Sequence, residues 1–121
     1  MRQPDFCGWA TKNNIKCSDG RTILPNAFAH NDGGVVPLVW HHQHDNVENV
    51  LGHALLENRP EGVYAYGFFN DTEFGQNAKL CVQHGDVTKL SIFANHLQHV
   101  GNGNVAHGDI KEVSLVLSFR I

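Results

Sequence analysis

The sequence predicts a β-rich α+β fold in which one or two helices pack on a sheet or on a small, mainly antiparallel barrel. Most apolar segments are short and rich in β-branched or aromatic residues, which is typical of strands. Only one longer segment has the apolar spacing of an amphipathic helix. A chain of 121 residues has the size of one domain with its own hydrophobic core. We therefore expect a single domain over residues 1–121.

The predicted strands follow one another from the middle of the chain to its end. They are Val35–Trp40, Asn49–Leu56, Gly62–Phe69, Val87–Leu97 and Lys111–Phe119. The residues Glu57–Gly62 predict a turn, and Gly101–Asn104 predict another before the last strand. Alternation in that strand predicts that Val113 and Leu115 share one face, while Ser114 lies on the other.

Glu73–His84 is the segment with helical spacing. Its apolar positions, at i, i+4, i+7 and i+8, are Phe74, Ala78, Cys81 and Val82. Asp71 or Thr72 is a suitable N-cap, and Gly85 predicts the end of the helix. Because proline is favoured at a first helical position, a second, short helix is predicted from Pro25 through Ala29.

Charge and apolar pattern exclude several classes of protein. The formal net charge of -3 argues against a dedicated nucleic-acid binder. No apolar run approaches the roughly 20 residues that a membrane-spanning helix needs, and no apolar leader follows Met1. The cysteines Cys7, Cys17 and Cys81 lack the spacing of a disulfide framework. We expect a soluble intracellular domain that binds neither nucleic acid nor membrane.

Histidine is the residue type in unusual excess, with nine in the chain. His41, His42 and His44 follow the strand that ends at Trp40. These residues alone leave three explanations open: a metal site, solvated loop histidines, or one histidine that acts as a general base at neutral pH. In an extended chain His41 points away from the other two, so a zinc ion would need ligands from distant segments.

A histidine base requires a nucleophile, for which two serines are candidates. Ser91 and Ser114 each lie within an apolar strand segment, where a serine marks either a close backbone approach or a site. The cysteines are weaker candidates, because they lie on the helix stripe or lack an activating neighbour. Glu112 lies in the most apolar stretch of the chain, where a carboxylate needs a partner to offset its desolvation.

Four groups of motifs, in order over nearly the whole chain, resemble those of the phage prohead (capsid maturation) protease family. The similarity comprises Phe6–Thr11 with Asn26–Phe28, Val36–His42, Gly52 with Glu61–Tyr64, and finally Leu90–Ile92 with Glu112–Val116. The last two segments match the LSIG-type and EVSLV motifs of that family. The family is similar to the herpesvirus assembly proteases, which are serine proteases built on a small β-barrel with packed helices.

The resemblance implies roles for individual residues. His42 matches the catalytic histidine of the family and Ser91 its nucleophile, while Glu112 stands where the herpesvirus enzymes use a second histidine. His41 and His44 remain alternatives for the base. The motif match assigns Ser114 to strand packing. The implied activity is that of a Ser-His-Glu serine endopeptidase without metal or cofactor.

The resemblance also implies partners and a place of action. The expected substrates are scaffold and major capsid-protein segments, cleaved inside an assembling prohead in the host cytoplasm, and homo-oligomerisation stays open. The alternative is a non-catalytic capsid-assembly or scaffold-binding domain that keeps the protease fold, and a His-rich metal-binding β-domain is a third hypothesis.

The sequence departs from the family pattern at Phe93, where a glycine is expected. The family pattern also continues past Glu112–Val116 into a small-residue and proline segment, so we expect a domain that lacks this extension.

Overall fold

The computed structural model of the protein describes residues 3–16, 20–42, 50–101 and 103–117. These residues form seven strands, one α-helix and one short 3-10 turn. In chain order the elements are β1 (Phe6–Lys12), β2 (Thr22–Ile23), the 3-10 turn (Ala29–Asn31), β3 (Val35–Trp40), β4 (Val50–Arg59), β5 (Gly62–Phe69), α1 (Glu73–Gln83), β6 (Val87–Val100) and β7 (Asn104–Leu117). None of the helices formed by these residues has the length and hydropathy needed to cross a lipid bilayer.

The strands form one sheet that curls into a half-barrel. Its order is β1-β5-β4-β3-β7-β2, and β6 pairs with the other edge of β7. Neighbouring strands are antiparallel, except that β2 and β3 run parallel to β7. Strand β1 also contacts β6, which draws the two ends of the sheet together. The predicted β-rich α+β fold is confirmed, with one α-helix among the described residues.

The hydrophobic core takes apolar side chains from most of the strands and from the helix. Its largest fully buried apolar members are Phe28, Phe69, Leu38, Leu51, Leu56 and Leu115. From α1, Ala78 is buried, and Cys81 and Val82 pack against the core. Because the burial of each Leu or Phe contributes about 1.5–3 kcal/mol, this core holds β3, β4 and β7 rigidly side by side.

Helix α1 covers the predicted segment and turns most of the predicted apolar stripe toward the core, with Phe74 as the exception. Thr72 is its N-cap, and the Thr72 hydroxyl oxygen accepts a hydrogen bond of 3.0 Å from the Gly75 backbone N–H. Gly75 is buried, whereas Phe74 is 47% exposed. The prediction that Phe74 faces the sheet is therefore wrong. The helix instead turns Gly75, which has no side chain, against the backbone carbonyls of Leu51 and Asn70.

The predicted short helix at Pro25 is also wrong. Residues 25–28 form a turn, which the 3-10 turn Ala29–Asn31 follows. Asn26 has a φ of 64°, a left-handed conformation that a right-handed helix does not contain. Three predicted strands are longer in the structure, since β4 continues to Arg59, β6 continues to Val100 and β7 already begins at Asn104. The predicted end of the last strand, at Phe119, lies outside the described residues.

Gly75→Ala tests the close approach of α1 to the sheet. A Cβ at this position would lie 2.7 Å from the Leu51 carbonyl oxygen and closer still to that of Asn70. Helix propensity alone would make the alanine variant more stable by roughly 0.5–1 kcal/mol. A loss of stability would therefore show that the added Cβ clashes with the carbonyl oxygens. We expect a loss of about 1–3 kcal/mol in the free energy of unfolding in urea.

Asn77→Ala is the matched control, because Asn77 is an exposed residue of the same helix. We expect it to change the free energy of unfolding by less than about 0.5 kcal/mol. A Gly75→Ala variant as stable as this control would contradict the described contact.

Candidate active site

Strand β7 lies between β3 and β6, and the residues that the sequence predicts for the site lie within β6, within β7 and just after β3. Strand β3 runs parallel to β7, with Trp40 beside Leu115. Strand β6 runs antiparallel to β7, with Ser91 directly opposite Ser114. Residues directly opposite one another point to the same face of a sheet, so the two serine side chains are neighbours.

The centre of β7 has different chemistry on its two faces. Val113 and Leu115 belong to the hydrophobic core. Glu112 and Ser114 alternate with them and therefore face the other side of the strand. They are buried as well, with 1% and 0% exposure. A carboxylate buried in this way needs hydrogen-bond partners to offset its lost hydration.

His42 reaches this polar face because the chain turns back at the end of β3. The His41 backbone N–H still donates to the Leu115 carbonyl over 3.1 Å, which extends the parallel pairing by one residue. His41 and His42 then adopt left-handed φ values of 45° and 62°, each at a cost of roughly 1–2 kcal/mol. A hydrogen bond of 2.7 Å from the His42 backbone N–H to Ser114 Oγ offsets part of that cost.

The structure brings Ser91, His42 and Glu112 into one hydrogen-bonded row. The Ser91 hydroxyl donates to His42 Nε2 over 3.0 Å, and His42 Nδ1–H donates to Glu112 Oε1 over 2.8 Å. The His42 side chain is 40% exposed, whereas that of Glu112 is 2% exposed. The row thus runs from a buried carboxylate to an accessible hydroxyl.

The hydrogen-bond partners determine the tautomer of His42. An ionised carboxylate only accepts hydrogen bonds, so Nδ1 carries the ring proton and Nε2 carries the lone pair. That lone pair points at Ser91 Oγ, which is the arrangement in which an imidazole can take a proton from a hydroxyl.

Ser114 belongs to the same site, which the sequence did not predict. Its hydroxyl donates to Glu112 Oε1 over 2.9 Å, and its oxygen lies 3.2 Å from His42 Nδ1. Together with the bond from the His42 backbone, these contacts tie the ring and the main chain of His42 to the carboxylate. Ser114 is packed within β7 as the motif match implies, and its hydrogen bonds to Glu112 and His42 are an additional role. The available signal was the two-residue spacing, which places Glu112 and Ser114 on one face of a strand.

The other sequence candidates differ in their surroundings. The ring of His41 stacks on Trp40, with 6.0 Å between the ring centroids. His44 and Cys17 lie outside the described residues. Cys7 is exposed, and its Sγ accepts a hydrogen bond of 3.3 Å from the Tyr64 hydroxyl.

A cleft of about 370 Å³ opens beside Ser91 and His42. Its walls combine apolar side chains with polar groups, among them the hydroxyls of Ser91 and Thr11 and the guanidinium of Arg21. They include Ile23, Phe28, Ile92, Ala94, Leu97 and Arg21. Ligand pockets in proteins range from roughly 300 to 1,000 Å³, so this cleft has room for one or two side chains of a peptide.

A second polar cluster lies further along the hairpin of β6 and β7. Asp109 accepts hydrogen bonds from His30 Nε2 over 2.5 Å and from His96 Nδ1 over 2.9 Å. These hydrogen bonds, from His30 above all, lower the pKa of Asp109 to about 2. The ring of His107 stacks on that of His30, with 4.3 Å between the centroids. The sequence did not predict this cluster, because its members come from separate segments.

Ser91 and Ser114 lie opposite each other but should respond differently to alanine. Ser114→Ala leaves the His42 backbone N–H without its acceptor and removes a donor to buried Glu112, so we expect a loss of about 1–3 kcal/mol. Ser91→Ala removes one hydrogen bond at an accessible position, so we expect a loss of less than about 1 kcal/mol. Urea unfolding of the two variants measures the difference. Equal stabilities would mean that Ser114 does not hold the site together.

The chain matches no protein-family model, no curated protein and no solved structure.

Proposed function

We propose that the protein is a serine endopeptidase in which Ser91 is the nucleophile, His42 the general base and Glu112 the residue that orients the base. The observation that carries the proposal is the continuous row from Ser91 Oγ through both ring nitrogens of His42 to Glu112 Oε1, with contacts of 3.0 and 2.8 Å. Both distances lie within the range of about 2.6–3.2 Å for a hydrogen bond between a nucleophile and its base, or between the base and the residue that orients it.

The reaction begins at Ser91. As its Oγ attacks the carbonyl carbon of the scissile peptide bond, the hydroxyl proton moves to His42 Nε2. The imidazolium then gives this proton to the leaving amine, and the acyl group stays on Ser91 Oγ as an ester. A water molecule attacks the ester in the second half of the reaction, with His42 again as base, and restores the free enzyme.

Glu112 and Ser114 support His42 through this cycle. Glu112 accepts a hydrogen bond from His42 Nδ1–H, which keeps the Nε2 lone pair available and stabilises the imidazolium when it forms. Because Glu112 is buried, its charge is weakly screened by water at the moment when the ring becomes charged. Ser114, two residues after Glu112 in β7, fixes both residues: its oxygen accepts a hydrogen bond from the His42 backbone N–H, and its hydroxyl donates one to Glu112.

The cleft beside Ser91 is the proposed subsite for the substrate. Ile92 and Leu97 can contact an apolar substrate side chain next to the scissile bond, and Arg21 adds a charged group to the same cleft. A cleft of this size holds one or two side chains of a peptide, so the residues beside the scissile bond should affect the rate of cleavage.

The resemblance described above supports the biological part of the proposal. The motifs around His42, Ser91 and Glu112 resemble those of the prohead proteases, and the curled β-rich sheet with one helix is compatible with a herpesvirus-protease-like barrel. The proposed substrates are therefore scaffold and major capsid-protein segments, cleaved inside an assembling phage prohead in the host cytoplasm.

Ser91→Ala tests the nucleophile. A fluorophosphonate probe should label the wild-type protein and not this variant, and cleavage of a fluorogenic peptide library should fall by several orders of magnitude. His42→Ala should lose cleavage similarly. His41→Ala is its matched control, because the His41 ring stacks on Trp40, and this variant should retain cleavage.

The same experiment can overturn the proposal. Equal cleavage by wild type and Ser91→Ala would exclude Ser91 as the nucleophile. If the wild-type protein neither reacts with the probe nor cleaves scaffold or capsid protein, but binds one of them, then the non-catalytic assembly domain is the better explanation.

Glu112→Gln tests the orienting role. The glutamine amide can donate a hydrogen bond to His42 Nδ1, which would move the ring proton to Nε2 and remove the base. We expect kcat to fall by up to about 10⁴-fold, with a smaller change in KM because the contact acts in the transition state. Glu61→Gln, at an exposed turn position, is the control and should leave both constants unchanged. An equally active Glu112→Gln variant would contradict the role of the carboxylate.

A further inference from the structure

Three segments that are distant along the chain bring metal-ligating side chains to one place. His30 lies in the 3-10 turn, His96 in β6, and His107 and Asp109 in β7. One ligand atom each of His30, His107 and Asp109 lies within 4.8 Å of the other two. Two imidazole nitrogens and one carboxylate oxygen form a set that zinc and other divalent transition metals commonly use, with further positions open to water.

The carboxylate of Asp109 is already oriented for such a site. His30 Nε2 bonds to Oδ1, while His96 Nδ1 bonds to the other oxygen, Oδ2. A metal ion that replaces the proton between His30 and Oδ1 would leave the His96 contact in place. Outer contacts of this kind hold ligating carboxylates in many metal sites.

The backbone around the cluster is held firmly. Asn31, next to His30, donates from its side chain to the Gly108 carbonyl over 3.2 Å and accepts from the Ile110 N–H over 3.3 Å. These two contacts bracket Asp109 and lock the 3-10 turn against β7. The Gly108 N–H also donates to the Ala27 carbonyl over 3.2 Å. The backbone that carries the ligands is therefore held by contacts outside the cluster, while the side chains still have to move to admit an ion.

The distances between the ligand atoms can change enough to admit a metal ion. Zinc bonds to nitrogen and oxygen at about 2.0–2.2 Å, so two ligand atoms of a tetrahedral site lie roughly 3.3–3.5 Å apart. His30 and Asp109 must separate by about 1 Å from their present hydrogen bond. The side chain of His30 is 43% exposed and that of Asp109 30%, which leaves room for this movement.

We propose that His30, His107 and Asp109 bind one divalent transition-metal ion such as Zn²⁺, and that His96 positions the carboxylate from its second oxygen. The ion would join the 3-10 turn to the hairpin of β6 and β7 across 79 residues of sequence. It would therefore stabilise the folded chain. This site is separate from the row of Ser91, His42 and Glu112, and the proposal does not depend on peptidase activity.

The test uses the full chain stripped of metal with a chelator and then titrated with Co²⁺ and with Zn²⁺. We expect one equivalent of Co²⁺ to bind with visible ligand-field absorption, and Zn²⁺ to raise the midpoint of thermal unfolding. His30→Ala, His107→Ala and Asp109→Asn should abolish both signals, and His96→Ala should weaken binding by about 10–100-fold. His99→Ala, an exposed histidine of the same hairpin, is the matched control and should bind as the wild type does.

Other outcomes would overturn the proposal. They are the absence of saturable binding, binding that survives both His30→Ala and His107→Ala in variants with wild-type circular dichroism, and binding that His42→Ala abolishes. The last result would place the ion at the row described above. Binding that persists in Ser91→Ala, with cleavage lost, would separate the metal site from the proposed peptidase.

Discussion

The buried carboxylate of Glu112 is the interaction on which the site depends. A charge in the middle strand of a sheet is tolerated only if hydrogen bonds replace the water that it has lost. His42 and Ser114 provide such bonds, and both converge on Oε1. The requirement to solvate one buried anion thus determines where the imidazole lies and which of its nitrogens carries the proton.

The sheet topology makes this convergence possible. Strand β7 has β3 on one edge and β6 on the other, so a residue just after β3 and a residue within β6 can meet above the same face. The left-handed residues His41 and His42 turn the chain over that face. Such conformations persist where surrounding contacts hold them, and they are often found at functional sites. Here the contacts are the hydrogen bonds from the two backbone N–H groups to β7.

The sequence predicts the parts of the fold in which local pattern and tertiary burial agree. Gly62–Phe69 was predicted with the bounds that β5 has, because its aromatic and β-branched residues form a buried strand. On α1, Ala78, Cys81 and Val82 face the core as predicted. The burial of Gly75 rather than Phe74 was not predicted, since the approach of Gly75 to the sheet is a tertiary contact that periodicity does not contain. The short strand β2 has two residues, too few for any alternation, and its pairing with β7 is long-range.

The same distinction applies to the site. His42, Ser91 and Glu112 were singled out by motif resemblance, while the residues themselves left the base and the nucleophile open. Ser114 could have been placed beside Glu112 by strand alternation. His30, His96 and Asp109 carry no such local signal, because their meeting depends on how the 3-10 turn docks on β7.

The central position of β7 has a consequence for the order in which the chain folds as the ribosome synthesises it. Chains emerge from the N-terminus onward, and parallel strand pairs form late because a long loop must close first. His42 therefore emerges well before Glu112, which follows it by 70 residues and which orients its ring. Until β7 inserts between β3 and β6, His42 has neither its carboxylate partner nor the acceptor for its backbone N–H. The hydrogen-bonded row of Ser91, His42 and Glu112 is therefore assembled only when the sheet is complete.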